Sequence, residues 1–205
     1  VVSWFAEQFG GSEKEAARLL GSSEYKLLDE AARDVPAGSG GLIALPYFMG
    51  ERNPIWDPYA SGTVVGLNLS HGRAHLYRSM LEGVAYSLRH NMEEVAGKLK
   101  LADELILVGG AAKSDLWVEI FADVTGYSIR TIKEDVEAPL GDALLAALAV
   151  GLIDDPSLMK NWFTLELRGR PRKEHRKIYD EGFAFYKELY ANLAGTMGKM
   201  AAVDW

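Results

Sequence analysis

Hydrophobic positions along this chain recur first at helical spacing and then as short apolar runs alternating with amphipathic stretches, which predicts helices leading into an α/β alternation. Val1 to Phe9 is short and amphipathic, and Gly10-Gly11 ends it. Ser12 and Glu15 have capping-box spacing for a helix running to about Leu20. A further helix is expected from Ser23 to about Asp34. Pro36 and the run Gly38-Ser39-Gly40-Gly41 then break the helical period, and Leu42 to Phe48 reads as a strand. Gly62 to Asn68 reads as the next strand, reached through the loop GERNPIWDP. Ser70 is placed to cap a long helix whose Leu81, Val84, Leu88, Met92 and Val95 form one stripe. Strand Leu105 to Val108, helix Asp115 to Thr125, strand Ser128 to Ile132 and helix Leu140 to Gly151 follow. In the last helix, Glu174 to Ala194, the residues Tyr179, Phe183, Tyr186 and Tyr190 recur three and four apart, which assigns them to packing on the body rather than to stacking on a ligand. No internal repeat and no low-complexity segment interrupts this order.

The most informative break is in ELILVGGAAKSDLWVEIFADVTG. The uncharged run from Leu105 to Val108 has the character of a buried parallel strand, and Leu116, Ile120 and Phe121 repeat at helical spacing. Gly109-Gly110 thus opens at a strand's carboxyl end, where ligands of open α/β sheets lie and where missing side chains let a flat or anionic group approach the backbone and a helix start. A tight turn without ligand is the competing reading, since neither a Walker A nor a GxGxxG pattern is present.

Composition narrows the class. With 205 residues, 48% hydrophobic and 25% charged, the chain can bury one core, and one compact domain with a helical appendage is expected. No apolar stretch reaches the roughly 18 residues of a membrane span, and no secretion signal is visible at the start. Cysteine is absent, so disulfides and thiolate metal sites are excluded and a cytoplasmic setting is expected. The balance of 22 Lys and Arg against 29 Asp and Glu gives a net charge of −7 and argues against nucleic acid as partner. The basic run LRGRPRKEHRK, with Arg168, Arg170, Arg172, Lys173, Arg176 and Lys177, reads as an exposed solvated connection, with an anion or acidic-partner site as the alternative. His71, His75 and His90 are not spaced as a metal site. Asp57, Asp115, Asp123 and Asp142 are read as turn or helix-start residues.

Three segments taken in order carry a family resemblance: GTVVGLNLSHGRAHLYRSMLEG from Gly62, with Gly62, Gly66, His75-Leu76, Ser79 and Glu82 in register; GGAAKSDLWVEIFADVTG; and EAPLGDALLAALAVG from Glu137. They resemble the carboxyl-terminal half of the FGGY carbohydrate kinases, and PYFMGERNPIWDP is most similar to xylulose kinases and their gluconate-kinase-like relatives. The resemblance implies an α/β fold of the ribonuclease-H-like, actin and hexokinase type with flanking helices. It implies residues 1–205 as the carboxyl-terminal domain, with a helical lead-in over 1–36, an α/β core over 41–153 and a terminal helix over 174–194. The amino-terminal sugar-binding domain, with the general base and first phosphate loop, is expected to be absent from this chain.

What the resemblance implies for this half is the nucleotide. Gly109, Gly110 and Ala111 match the family's adenosine motif, where small residues let adenine and ribose lie against backbone. Ser114 falls where relatives carry a polar residue that reaches base or ribose; its other reading is the N-cap of the Asp115 helix, and one hydroxyl can do both. Ser3 aligns with a position lining the nucleotide, and Gly141 opens the Ala-rich helix with Asp142 where a second Ala is usual. Trp117 is assigned to core packing before a role as adenine wall. Glu51 and Arg52 in the GERNP loop are assigned equally to contact on the sugar side of the cleft and to a salt bridge across the domain boundary. The implied activity of the full protein is ATP- and Mg2+-dependent phosphorylation of a hydroxyl of a pentulose such as xylulose. Alternatives are gluconate as acceptor, or a stand-alone nucleotide-binding domain without catalysis. Implied partners are the missing kinase domain and a small sugar, with a homodimer compatible with the surface left uncovered.

Overall fold

The computed structural model describes residues 1–134 and 138–204. Three short helices come first: α1 (Val2–Phe9), α2 (Gly11–Leu20) and α3 (Glu24–Arg33). Phe5 and Ala6 are the inward face of α1, Ala17 of α2, and Leu28 and Ala32 of α3. Ser23 caps α3, its Oγ accepting from the Tyr25 N–H at 3.3 Å. The capping box expected at Ser12 and Glu15 is not formed: α2 starts from Gly10 without a side-chain cap. Arg73 donates to Ser12 Oγ at 3.0 Å and to Glu13 at 2.5 Å, and Glu15 turns to Arg18. A tertiary guanidinium has taken the Ser12 hydroxyl, and a local one, three residues on, has taken Glu15.

Strands β1 (Ile43–Leu45) and β2 (Thr63–Val65) pair antiparallel, Ile43 opposite Val65, and are shorter than the apolar runs that predict them. From β2 the chain enters α4 (Arg73–Ala96), whose N-cap is Gly72. Ser70 does not cap it, because its N–H and Oγ both donate to Asn68 Oδ1, at 2.9 and 2.7 Å, in a local turn. Helix α4 is the axis of the domain. Residues 77–83 are buried on every face, Tyr77, Arg78, Ser79 and Glu82 included, so a single apolar stripe does not describe it. It runs so close under β1 that a Cβ on Gly83 would meet Ala44 O at 2.5 Å.

Strand β3 (Glu104–Leu107) leads through a 3₁₀ turn at Gly110–Lys113 into α5 (Asp115–Thr125), then β4 (Ser128–Ile132), α6 (Ala138–Ala149), β5 (Leu165–Gly169) and α7 (Arg176–Ala201). The sheet order is β3-β4-β5, parallel between β3 and β4 and antiparallel between β4 and β5. Strand β3 is not buried on both faces: it is an edge strand, and Ile106 and Val108 stand 54% and 55% exposed while Leu105 and Leu107 pack on the core. Helix α6 begins two positions before its predicted start, with Gly141 inside it, and Glu137 of the EAPLGD motif lies outside the described residues.

The basic stretch is exposed at Arg168, Arg170, Lys173, Arg176 and Lys177, as a solvated connection would be, but it begins in β5 and several of its cations are paired. Leu165, Leu167 and Gly169 turn inward in β5, Arg168 pairs with Asp115, Arg172 with Asp123 and Glu119, and Arg176 with Asp180. Asp123 is therefore neither a turn nor a helix-start residue. Its side chain is buried in the last turns of α5 and accepts from Arg172 N, Nε and a terminal NH2, with His175 Nδ1 at 2.8 Å. Tyr179, Phe183 and Tyr186 of α7 are buried against α4 and β1, as their spacing predicts.

Candidate functional site

A cavity of about 870 Å³ opens where α1, α3, α4 and the start of α5 meet. Val2 and Ser3 come from α1, Tyr25, Lys26, Asp29 and Arg33 from α3, and Tyr77 from α4. Gly110, Ala111, Ser114 and Trp117 come from the turn into α5. Each element arrives for a local reason. Ser23 starts α3 beside the cavity, the burial of Phe5 pins α1, and Ser114 fixes the first turn of α5 by accepting from the Trp117 N–H at 3.0 Å.

The cavity unites four of the predicted nucleotide residues: Ser3, Gly110, Ala111 and Ser114. Gly109 lies next door, lining a hollow of about 190 Å³ with Lys113, Thr131, Lys133 and Arg168 at the carboxyl ends of β3 and β4. Gly109 has φ 77 and ψ −160, a conformation in which a side chain is strained. Gly110 has no positive φ, and a Cβ there would meet nothing within 4 Å. The fold thus requires glycine at 109, and leaves the space above 110 open.

Trp117 serves the core, as assigned, and the cavity as well: its ring stacks on Phe121 with centroids 5.6 Å apart, and its Nε1 donates to Leu81 O at 3.0 Å. Tyr25, Lys26, Asp29, Arg33 and Tyr77, which no motif position in the sequence singles out, complete the wall. The Tyr77 hydroxyl donates to Asp29 Oδ1 at 2.9 Å. Burial pushes the Asp29 carboxyl above the usual carboxylate range, against the opposing pull of the Ser114 and Tyr77 side chains and the Arg33 charge. Burial and the neighbouring Asp29 push the Tyr77 phenol far above its ordinary value. Arg33 itself is held by Glu119 at 3.1 Å. Periodicity could not reveal this wall, because residues on α3 and α4 meet only in the folded chain.

Glu51 and Arg52 line neither cavity. They belong to the loop between β1 and β2, where Glu51 and Asp57 exchange backbone hydrogen bonds at 2.9 and 2.8 Å and Glu51 Oε1 accepts from the Arg52 N–H at 2.8 Å. The loop is tied down by Tyr190, which donates to Asp57 Oδ2 at 2.9 Å, and by Asn91, which donates to Asn53 O at 3.1 Å. The Arg52 side chain is exposed and makes no ion pair among the described residues. Among the described residues no three His, Asp or Glu side chains converge as a metal cage, and no helix is long and apolar enough to cross a membrane.

The chain is 31% identical to a gluconokinase of Bacillus licheniformis over 87% of its own length and 35% of the relative's. It is 28% identical to a xylulose kinase of Bacillus subtilis over 93% of its length and 36% of that protein. It superposes on the ligand-bound xylulose kinase of Lactobacillus acidophilus with a TM-score of 0.80 at 29% identity, covering 97% of this chain and 39% of that one. The chain therefore spans little more than a third of the length of these kinases. The expected fold class, an α/β domain of the actin and hexokinase type, is borne out. Residues 1–150 match the FGGY family of carbohydrate kinases, C-terminal domain, and the chain belongs to that family.

Proposed function

We propose that this chain is the nucleotide-binding half of an ATP-dependent sugar kinase, and that ATP occupies the cavity between α1, α3 and α5. The observation that carries the reading is the meeting of Ser3, Gly110, Ala111 and Ser114 in one cavity large enough for a nucleoside. Adenine and ribose lie along the Gly110-Ala111 backbone, against Trp117 and Tyr25, and the phosphates leave towards the Gly109 turn. Magnesium enters with those phosphates. It retains water and phosphate oxygens as ligands and does not need a protein cage, which suits the lack of converging acidic side chains among the described residues.

The acceptor is a sugar, with xylulose or a similar pentulose favoured by PYFMGERNPIWDP and gluconate as the alternative; relatives of both kinds match this chain. Arg52, exposed and without an ion pair among the described residues, faces the acceptor side or the partner domain. The partner is an amino-terminal FGGY domain supplying the base and the acceptor pocket, since phosphoryl transfer depends on positioning and charge stabilisation between two opposed surfaces. The setting is cytoplasmic, where ATP is available, and self-association as a homodimer would cover surface that the partner domain otherwise covers. The test is a coupled ADP-release assay with xylulose, ribulose, gluconate and glycerol. A protein joining this chain to an amino-terminal FGGY domain should turn over one of them, and the 205-residue chain alone should turn over none.

A further inference from the structure

The smaller hollow is lined by a hydroxyl that the fold leaves without a partner. Thr131 of β4 stands beside Leu107 of β3, is 2% exposed, and its Oγ1 has no hydrogen-bond partner among the described residues. A buried hydroxyl in that state costs free energy until an acceptor reaches it. Thr131 lines the hollow of about 190 Å³ at the carboxyl ends of β3 and β4, so that acceptor can come from within the hollow. Three cations, Lys113, Lys133 and Arg168, share the lining with one carboxylate, Glu134. Glu134 Oε2 is already engaged, accepting from the Thr164 N–H at 2.7 Å. Arg168 gives one NH2 to Asp115, and the other donors of its fork remain. At Gly109 a Cβ would meet nothing within 4 Å, which leaves open space on that side.

We propose that this hollow is a binding site for a small tetrahedral oxyanion such as inorganic phosphate, separate from the larger cavity and independent of the nucleotide reading given to that cavity. Size and lining select the class. The hollow is smaller than the roughly 300 Å³ at which pockets for drug-sized ligands begin, yet several times the roughly 30 Å³ share of one water. None of its lining residues is aromatic, so it offers no ring for a base or sugar to lie on. Phosphate supplies what each group lacks: one oxygen accepts the Thr131 proton, and others take charge-assisted bonds from the Lys133 ammonium and the Arg168 guanidinium. The two hollows share only Lys113, since the turn at Gly110–Lys113 gives Gly110 and Ala111 to one and Ala112 to the other.

The experiment is calorimetric titration of the 205-residue chain with inorganic phosphate, with chloride at equal ionic strength as control, and thermal unfolding of the same samples. The expected result is saturable phosphate binding and a raised melting temperature that chloride does not reproduce. Thr131→Val keeps the outline of the side chain and deletes the unpartnered hydroxyl. Without phosphate it should melt no lower than the unaltered chain, while its phosphate affinity falls at least about tenfold. Lys133→Gln, at an exposed position, should weaken phosphate roughly threefold or more at an unchanged melting temperature in chloride. A response to phosphate no greater than that to chloride overturns the proposal, because the hollow then holds water only. A Thr131→Val variant that binds phosphate as tightly as the unaltered chain overturns it as well, and should that variant not fold, unchanged phosphate affinity in Lys133→Gln does so alone. Competitive displacement of phosphate by ATP would make the hollow an end of the larger cavity and overturn the separate site, whereas failure of ATP to bind removes the nucleotide reading and leaves this site standing.

Discussion

Arg78 Nε lies 2.9 Å from Glu82 Oε1 one helical turn along α4, with the two side chains 4% and 1% exposed. Glu82 also accepts from Gly38 N, Ser39 Oγ and the Tyr179 hydroxyl, and Arg78 reaches Ala32 O and Tyr179. This one pair thereby ties the loop before β1, the end of α3 and helix α7 to the axis of the domain.

Removing one partner should cost far more than removing both. Arg78→Met leaves a buried carboxylate without its counter-charge and is expected to destabilise the domain by about 3–5 kcal/mol in denaturant unfolding. The double variant Arg78→Met, Glu82→Gln, which removes both charges while its amide oxygen still accepts from Gly38 N and the Tyr179 hydroxyl, should recover a large part of that loss. Equal losses for the single and double variants would show that the pair is not coupled.

The adjacent glycines should separate fold from ligand. Gly109→Ala places a Cβ at φ 77 and should destabilise by about 1–3 kcal/mol, whereas Gly110→Ala enters open space and should stay within about 0.5 kcal/mol of the unaltered chain. Thermal unfolding of the two variants side by side checks this, and a reversal would mean that the turn is built differently.

The sequence made the strand-turn-helix unit legible because its ends carry local signals: Ser114 and Gly126 cap α5 at the predicted residues. Strand β5 carries a signal too, Leu165, Glu166, Leu167 and Arg168 alternating with period two, but the run is only five residues long and merges into a basic segment with no apolar continuation. Asp123 could not be read locally, since the partners that bury it, Arg172 and His175, come from beyond β5. The same limit hid Asp29 and Tyr77. Half of the cavity was readable in the Gly110 turn, and the other half is made by helices whose facing residues are distant in sequence.

Arg52 should be dispensable for this domain's stability. Its guanidinium has no ion-pair partner among the described residues, so Arg52→Ala in the chain alone should leave the unfolding free energy within about 0.5 kcal/mol. In a protein that includes the amino-terminal domain, sugar contact predicts a raised sugar Michaelis constant at constant melting temperature, and a boundary salt bridge predicts the reverse. A large stability loss in the isolated chain would exclude both assignments.

Whether ATP lies against the Gly110 turn is decided by calorimetric titration of ATP into the unaltered chain and into Gly110→Val. Because a Cβ at 110 meets no protein atom within 4 Å, the variant should fold and melt as the unaltered chain does. The predicted result is saturable ATP binding to the unaltered chain, weakened at least about tenfold in Gly110→Val by collision of the β-branched side chain with the nucleoside. A folded Gly110→Val that binds ATP as tightly as the unaltered chain would contradict the account.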